Sequence, residues 1–232
     1  MSEVTRAFMR KPLAIPADRS ALLCIDLQEE HRKDQRLLAA GFDGVIANVR
    51  LLQDAARANA IPLYHFAYVV DVNASLPHHP KLADGRSAFS DKDDPLTAVC
   101  PEVAPMDGER LVVKSEASAF GAGLGDELKA AGVEWLFVCG VWTEACVDAS
   151  VKSALKLGFR VVLVKDACAS GSVAMHQTGI LNMANRLYGG AVTDTAAACL
   201  MMAGETVEAW QPDRPVPLRF SFDNAARLFD EL

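Results

Sequence analysis

Cys146 is the residue in this chain best placed to do chemistry. It follows Leu136-Phe137-Val138-Cys139, a short apolar run of the kind that forms a strand covered on both faces, and then Gly140-Val141-Trp142-Thr143. Thr143 has the type of a helix N-cap, and Val147, Val151, Ala154 and Leu155 recur after it at helical spacing, with Gly158 just past the end. On that reading Cys146 occupies the third helical position. There the unpaired N–H groups and the helix dipole favour an anion, so the thiol is biased towards thiolate. The competing reading is a small core residue in an Ala/Val-rich helix.

Two further polar residues close apolar runs. Ala21-Leu22-Leu23-Cys24-Ile25 ends in Asp26, and Leu111-Val112-Val113 ends in Lys114. Read singly, Asp26 is a turn residue and Lys114 a snorkelling side chain. In an open parallel sheet, however, the carboxyl ends of the strands share one rim, and chemistry gathers there. Asp26, Lys114 and Cys146, the last one turn beyond its strand, can therefore converge.

The elements that must position these residues alternate. Strands are expected over 21–25, 61–70, 111–113, 135–139, 160–165 and 191–193. Helices are expected from Asp43 (with Val45, Ile46, Val49, Leu52 and Ala56 inward), over 126–131, after Thr143, over 173–187 and from Asp194 or Thr195 to Met202. This predicts one α/β domain, doubly wound, with three α/β/α layers and a six-stranded, mainly parallel sheet. Residues 1–19 read as a polar lead-in without periodicity, and 18–203 as the core. The tail, 204–232, holds an amphipathic helix with Phe222, Ala225, Ala226, Leu228 and Phe229 apolar, and is expected to pack on a neighbouring subunit of a homo-oligomer, a dimer or tetramer.

Residues 71–108 carry five prolines, many acids and little periodicity. Such a long irregular segment reads as an excursion over the strand ends that shapes a pocket. Asp71, His78 and His79 within it have metal-ligand chemistry, but adjacent histidines rarely share one ion, so they are read as a solvated loop with no metal site.

The 232 residues carry a net charge of −7, which argues against nucleic acid or an anionic membrane surface as partner. No apolar run approaches a bilayer span, and Met1-Ser2-Glu3-Val4 has no signal pattern, so a cytoplasmic location is expected. The six cysteines are scattered, without a C-x-x-C pair, and read as free thiols. No G-x-G-x-x-G follows the first strand, which disfavours a dinucleotide cofactor.

Four segments together resemble the isochorismatase-like cysteine hydrolases, the superfamily of nicotinamidases, N-carbamoylsarcosine amidohydrolase, biuret hydrolases and ureidoacrylate amidohydrolases. They are Leu23-Cys24-Ile25-Asp26-Leu27-Gln28, Val113-Lys114-Ser115-Glu116-Ala117-Ser118-Ala119-Phe120, Gly140 to Val147, and Gly158-Phe159-Arg160-Val161 through Asp166-Ala167-Cys168-Ala169-Ser170. The resemblance implies a catalytic triad of Asp26, Lys114 and Cys146. It also implies a cis peptide between Val141 and Trp142, and an oxyanion hole built from the Trp142 and Cys146 N–H groups. No cofactor is implied. The substrate would be a small carbamoyl, ureido or primary amide compound, with Gln28, His31, Arg86 and Thr143 as candidate contacts; Arg86 could pair with a substrate carboxylate. His31 stands near where members commonly carry Phe. The Asp-x-His metal motif of nicotinamidases is missing from Tyr64-His65-Phe66-Ala67-Tyr68, and Cys146 argues against vinyl-ether cleavage by an isochorismatase proper. The alternatives are a metal-assisted nicotinamidase-type amidase and a catalytically silent binding protein on the same fold.

Overall fold

The computed structural model describes residues 10–74, 77–121 and 123–232. Its centre is a fully buried strand, β2 (Ser20–Ile25), whose continuous apolar sequence suits a position covered on both faces. The other strands are β1 (Arg10–Leu13), β3 (Leu63–Tyr68), β4 (Arg110–Lys114), β5 (Trp135–Val141), β6 (Arg160–Ala169), β7 (Ala191–Thr193) and β8 (Val207–Trp210). They form one sheet in the order β1-β8-β7-β6-β5-β2-β3-β4. From β4 to β7 every pairing is parallel, and the antiparallel pairings are those of β8, with β7 and with β1, at one edge.

The sheet is thus mainly parallel as expected, but has eight strands, not six. The two additions escape pattern reading for a physical reason. β1 is an exposed edge strand, Arg-Lys-Pro-Leu, with no buried face to impose alternation. It pairs only with β8 in the tail.

Alternate residues of the central strands feed two apolar layers. Leu23, Ile25, Leu136 and Val138 face one side, where α3 (Leu124–Ala130), α4 (Asp148–Lys156), α5 (Val173–Ala184) and α7 (Ala225–Asp230) pack. Leu22, Cys24, Phe137 and Cys139 face the other, under α2 (Phe42–Ala58) and α6 (Thr195–Met202). A short helix, α1 (Glu30–Lys33), lies just beyond β2.

The tail packs on its own chain. Leu218, Ala225, Leu228 and Leu232 are buried in the layer that holds α5, and the Asn185 amide both donates to and accepts from the Leu218 backbone at 2.8 Å. Phe222, expected on an apolar helix face, lies outside the helix and is 99% exposed. No helix of the described residues is long and apolar enough to cross a membrane.

Candidate active site

β2 lies between β5 and β3, the point where the chain order of the sheet reverses. Asp26 is the first residue beyond it, in left-handed backbone conformation at φ 51°, a strained geometry for a non-glycine residue. Its N–H donates to the Phe66 carbonyl at 3.1 Å, fixing where the carboxyl leaves the sheet. Lys114 ends β4, two strands away, in register with Tyr68 of β3. The lysine crosses the Tyr68 ring, 4.7 Å from its centroid, and donates to Asp26 Oδ2 at 2.7 Å. Its remaining hydrogen-bond partners are the carbonyls of Glu116 and Ala117 at 3.1 and 3.2 Å.

Cys146 comes from the third side. β5 ends at Gly140-Val141, and Gly140 presses against β2 at φ 126°: a Cβ there would stand 2.0 Å from the Ile25 carbonyl oxygen. Only glycine lets β5 run this close to the base of Asp26. The Val141–Trp142 peptide is cis. Residues Thr143–Val147 then form a π-helical turn before α4 begins.

The predicted local structure at Thr143 is corrected here. Thr143 makes no side-chain cap; Trp142 precedes the turn and the Thr143 side chain is fully buried. Its hydroxyl donates to the Ala169 carbonyl at 2.9 Å, so His176 Nδ1, 2.8 Å away, is the donor to that oxygen. Thr143 therefore ties the turn to β6 and α5 and does not reach the cavity.

A cavity of about 320 Å³ opens at this rim, lined by Asp26 and Cys146 together with Glu30, His31, Tyr68, Phe89, Ser90 and Trp142. A larger cavity of about 560 Å³ lies elsewhere, between α4, α5 and residues 216–220, away from these groups. The 71–108 excursion does close over the strand ends: Ser90 donates to Glu30 through its N–H at 2.8 Å and its hydroxyl at 2.5 Å. Phe89 and Ser90 are cavity walls supplied by that segment.

Of the four candidate contacts, only His31 lines the cavity. Gln28 is buried beneath it, donating to the Tyr68 and Thr97 carbonyls and accepting from the Tyr68 N–H at 2.7–2.9 Å. It staples β2 to β3 and to the excursion. Arg86 is 51% exposed and bonded to Asp84. Glu30, Tyr68, Phe89 and Ser90 were not foreseen. The only signal for Glu30 was its place in the first turn after the central strand, inside a charge-dense stretch that reads as solvated.

His31 is neutral and its tautomer follows from its neighbours. The Trp142 indole N–H can only donate, and it points at His31 Nδ1 at 3.2 Å. The ring proton therefore sits on Nε2, 3.8 Å from Glu30 Oε1. Nδ1 also lies 3.3 Å from the Leu37 carbonyl, a contact only the opposite tautomer could use. Burial lowers the His31 pKa, which keeps the ring uncharged.

The electrostatics correct the expected thiolate. Burial first, and then the charge of Asp26, push the Cys146 thiol up to about 12; Lys114 opposes this only in part. Burial likewise raises the Asp26 carboxyl, against the pull of Lys114. The resting sulfur is a thiol, because the pocket desolvates it and the Asp26 carboxylate stands beside it. Asp26 Oδ1 has no hydrogen-bond partner, and the thiol lies within interaction range of that carboxyl. A buried carboxylate with one open oxygen beside a thiol is arranged to receive its proton.

No group of three His, Cys, Asp or Glu side chains converges as a metal site among the described residues. Asp71 pairs with Lys92 and His79 contacts Ser87, each at 2.7 Å.

Residues 20–197 match the family model described as the isochorismatase domain. The chain belongs to the isochorismatase family. Its relatives include maleamate amidohydrolase of Pseudomonas putida, 33% identical over 80% of this chain and 84% of that one. Ureidoacrylate amidohydrolase of Rhizobium rhizogenes is 26% identical over 71% and 76%. A cysteine hydrolase from Pseudomonas syringae pv. phaseolicola superposes with a TM-score of 0.73 at 23% identity, covering 83% of this chain and 98% of that one. The chain thus shares its fold with the family's solved structures and its sequence with curated amidohydrolases, enzymes that cleave C–N amide bonds.

Proposed function

We propose that this protein is a cofactor-free cysteine amidohydrolase acting on a small amide, carbamoyl or ureido substrate. The observation that carries the reading is one cavity at the sheet rim, holding the Cys146 thiol beside a carboxyl, Asp26, that is paired with Lys114 through one oxygen and open at the other.

The chemistry follows from those states. Cys146 Sγ attacks the substrate carbonyl carbon while its proton passes to Asp26, so a thiolate need not accumulate at rest. The tetrahedral oxyanion is held by the Trp142 and Cys146 backbone N–H groups, each donor contributing about 3–4 kcal/mol in comparable sites. Collapse breaks the C–N bond, and the leaving nitrogen takes the proton from Asp26. Ammonia or an amine departs, leaving a thioester. A water then loses its proton to Asp26 and attacks that thioester, releasing the acid and restoring the thiol. Lys114 steadies the Asp26 charge throughout, and the Gln28 staple and Thr143 anchor hold the two halves of the site in place.

A screen for ammonia release over small amides and ureides tests this. Cys146→Ala should lower turnover of the best substrate by about 10³-fold or more. A variant as active as the wild type would end the proposal.

A further inference from the structure

The charge of the cavity is uneven. Among its described lining residues two are acids, Asp26 and Glu30, and none is lysine or arginine. Lys114, behind Asp26, is already engaged by that carboxylate and two carbonyls. Arg86 stands outside, bound to Asp84. Arg36 lies within electrostatic reach of Glu30 but is itself held by Asp34 at 3.0 Å, while Asp34 and Asp94 add negative potential at Glu30.

Glu30 is also fixed. Ser90 donates to both of its oxygens, which favours the ionised carboxylate against the burial that raises its pKa, and α1 and the excursion bury the group together. The remaining lone pairs are available to a guest in the cavity, with the His31 Nε2–H nearby. The other walls, Leu37, Tyr68, Phe89 and Trp142, are apolar or aromatic. A substrate carboxylate entering this space would meet two buried acidic side chains and no lysine or arginine in the described lining.

We infer that the cavity selects neutral or cationic small amides and turns away amides that bear a carboxylate, with Glu30 as the specificity-determining residue. The inference rests on the amidohydrolase reading of the same cavity. Glu30 acts as an acceptor for a substrate N–H or ammonium group, and the open Asp26 oxygen reinforces the selection.

The test compares kcat/KM for three amides of similar length: butanamide, 4-aminobutanamide and succinamate. The wild type should process succinamate at least about tenfold less well than the other two. Glu30→Gln should narrow the ratio of 4-aminobutanamide to succinamate by about tenfold. A wild-type preference for succinamate, or a ratio unmoved in the variant, overturns the inference. A second readout needs no turnover: alkylation of Cys146 by iodoacetamide against iodoacetate, normalised to glutathione and located by peptide mapping. The wild type should disfavour iodoacetate and Glu30→Gln should relax this. If no amide is hydrolysed while the alkylation bias holds, the amidohydrolase reading fails and the charge selection stands. If Glu30→Gln does not fold, the wild-type ratio decides alone, because equal or faster reaction with iodoacetate overturns the inference.

Discussion

Lys114 Nζ meets Asp26 Oδ2 at 2.7 Å although a whole strand, β3, separates the strands that carry them. Tyr68, at the register position facing Lys114, lays its ring beneath the lysine ammonium as it crosses. Both side chains are almost fully buried. Removing one partner of such a pair strands the other charge in a medium of low polarity.

Lys114→Met is therefore expected to cost about 3–5 kcal/mol of stability and to lower kcat/KM by about 10²-fold or more. The pH profile carries the sharper signature. Asp26 must be ionised to take the thiol proton, and Lys114 is what pulls its pKa down against burial. Without the lysine that pKa rises further, so the acidic limb of kcat/KM should move to higher pH. An acidic limb that stays in place would contradict the role given to Lys114.

Asp26→Asn should separate thiol reactivity from catalysis. Next to burial, the charge of Asp26 is what holds the Cys146 thiol up, near 12. Replacing it by a neutral amide lowers the thiol pKa, so alkylation of Cys146 by iodoacetamide at pH 8 should become faster while amide turnover is lost. Rates from intact-protein mass spectrometry check this. Slower alkylation in the variant would show that the carboxylate activates the sulfur at rest.

A cluster remote from the cavity predicts acid sensitivity of the fold. Burial would raise the Glu109 carboxyl, but Arg57, the Met106 N–H and His65 outweigh it and hold the group at about 2. Its folded pKa lies below the unfolded value, so its stabilisation is present above about pH 4.5 and fades as pH falls towards 2; the linkage amounts to about 3 kcal/mol. Urea unfolding should find Glu109→Gln less stable than wild type at pH 7, with most of that difference gone near pH 2.5. A constant difference across that range would refute the assignment.

The sequence exposed the parts of the site that sit where apolar runs stop. Asp26 and Cys146 follow β2 and β5, strands buried throughout that announce themselves as continuous apolar segments, and Lys114 closes β4, an edge strand that is mostly exposed but keeps the short apolar run Leu111-Val112-Val113. Polar residues in the same motifs were harder to place. Gln28 and Thr143 look like pocket groups, yet both spend their hydrogen bonds under the site, Gln28 on backbone groups of Tyr68 and Thr97 and Thr143 on the Ala169 carbonyl and His176. Nothing in a one-dimensional pattern separates a polar side chain that faces a substrate from one that staples two segments. The cavity's far wall was illegible for another reason: Glu30 is held by Ser90, sixty positions on, which folds over it with the rest of the excursion. β1 was missed because an edge strand buries too little to leave a periodic trace, and β8, which lies between β1 and β7, because four residues are too few to show one.

The central claim is that Cys146 carries the acyl group. Single-turnover reaction with the best amide, quenched in acid and read by peptide mass spectrometry, measures it directly. The account predicts an added acyl mass on the peptide containing Cys146, decaying at the rate of acid release and absent in Cys146→Ala. Full amide turnover with no adduct at Cys146, or an adduct on another of the cysteines, would contradict it.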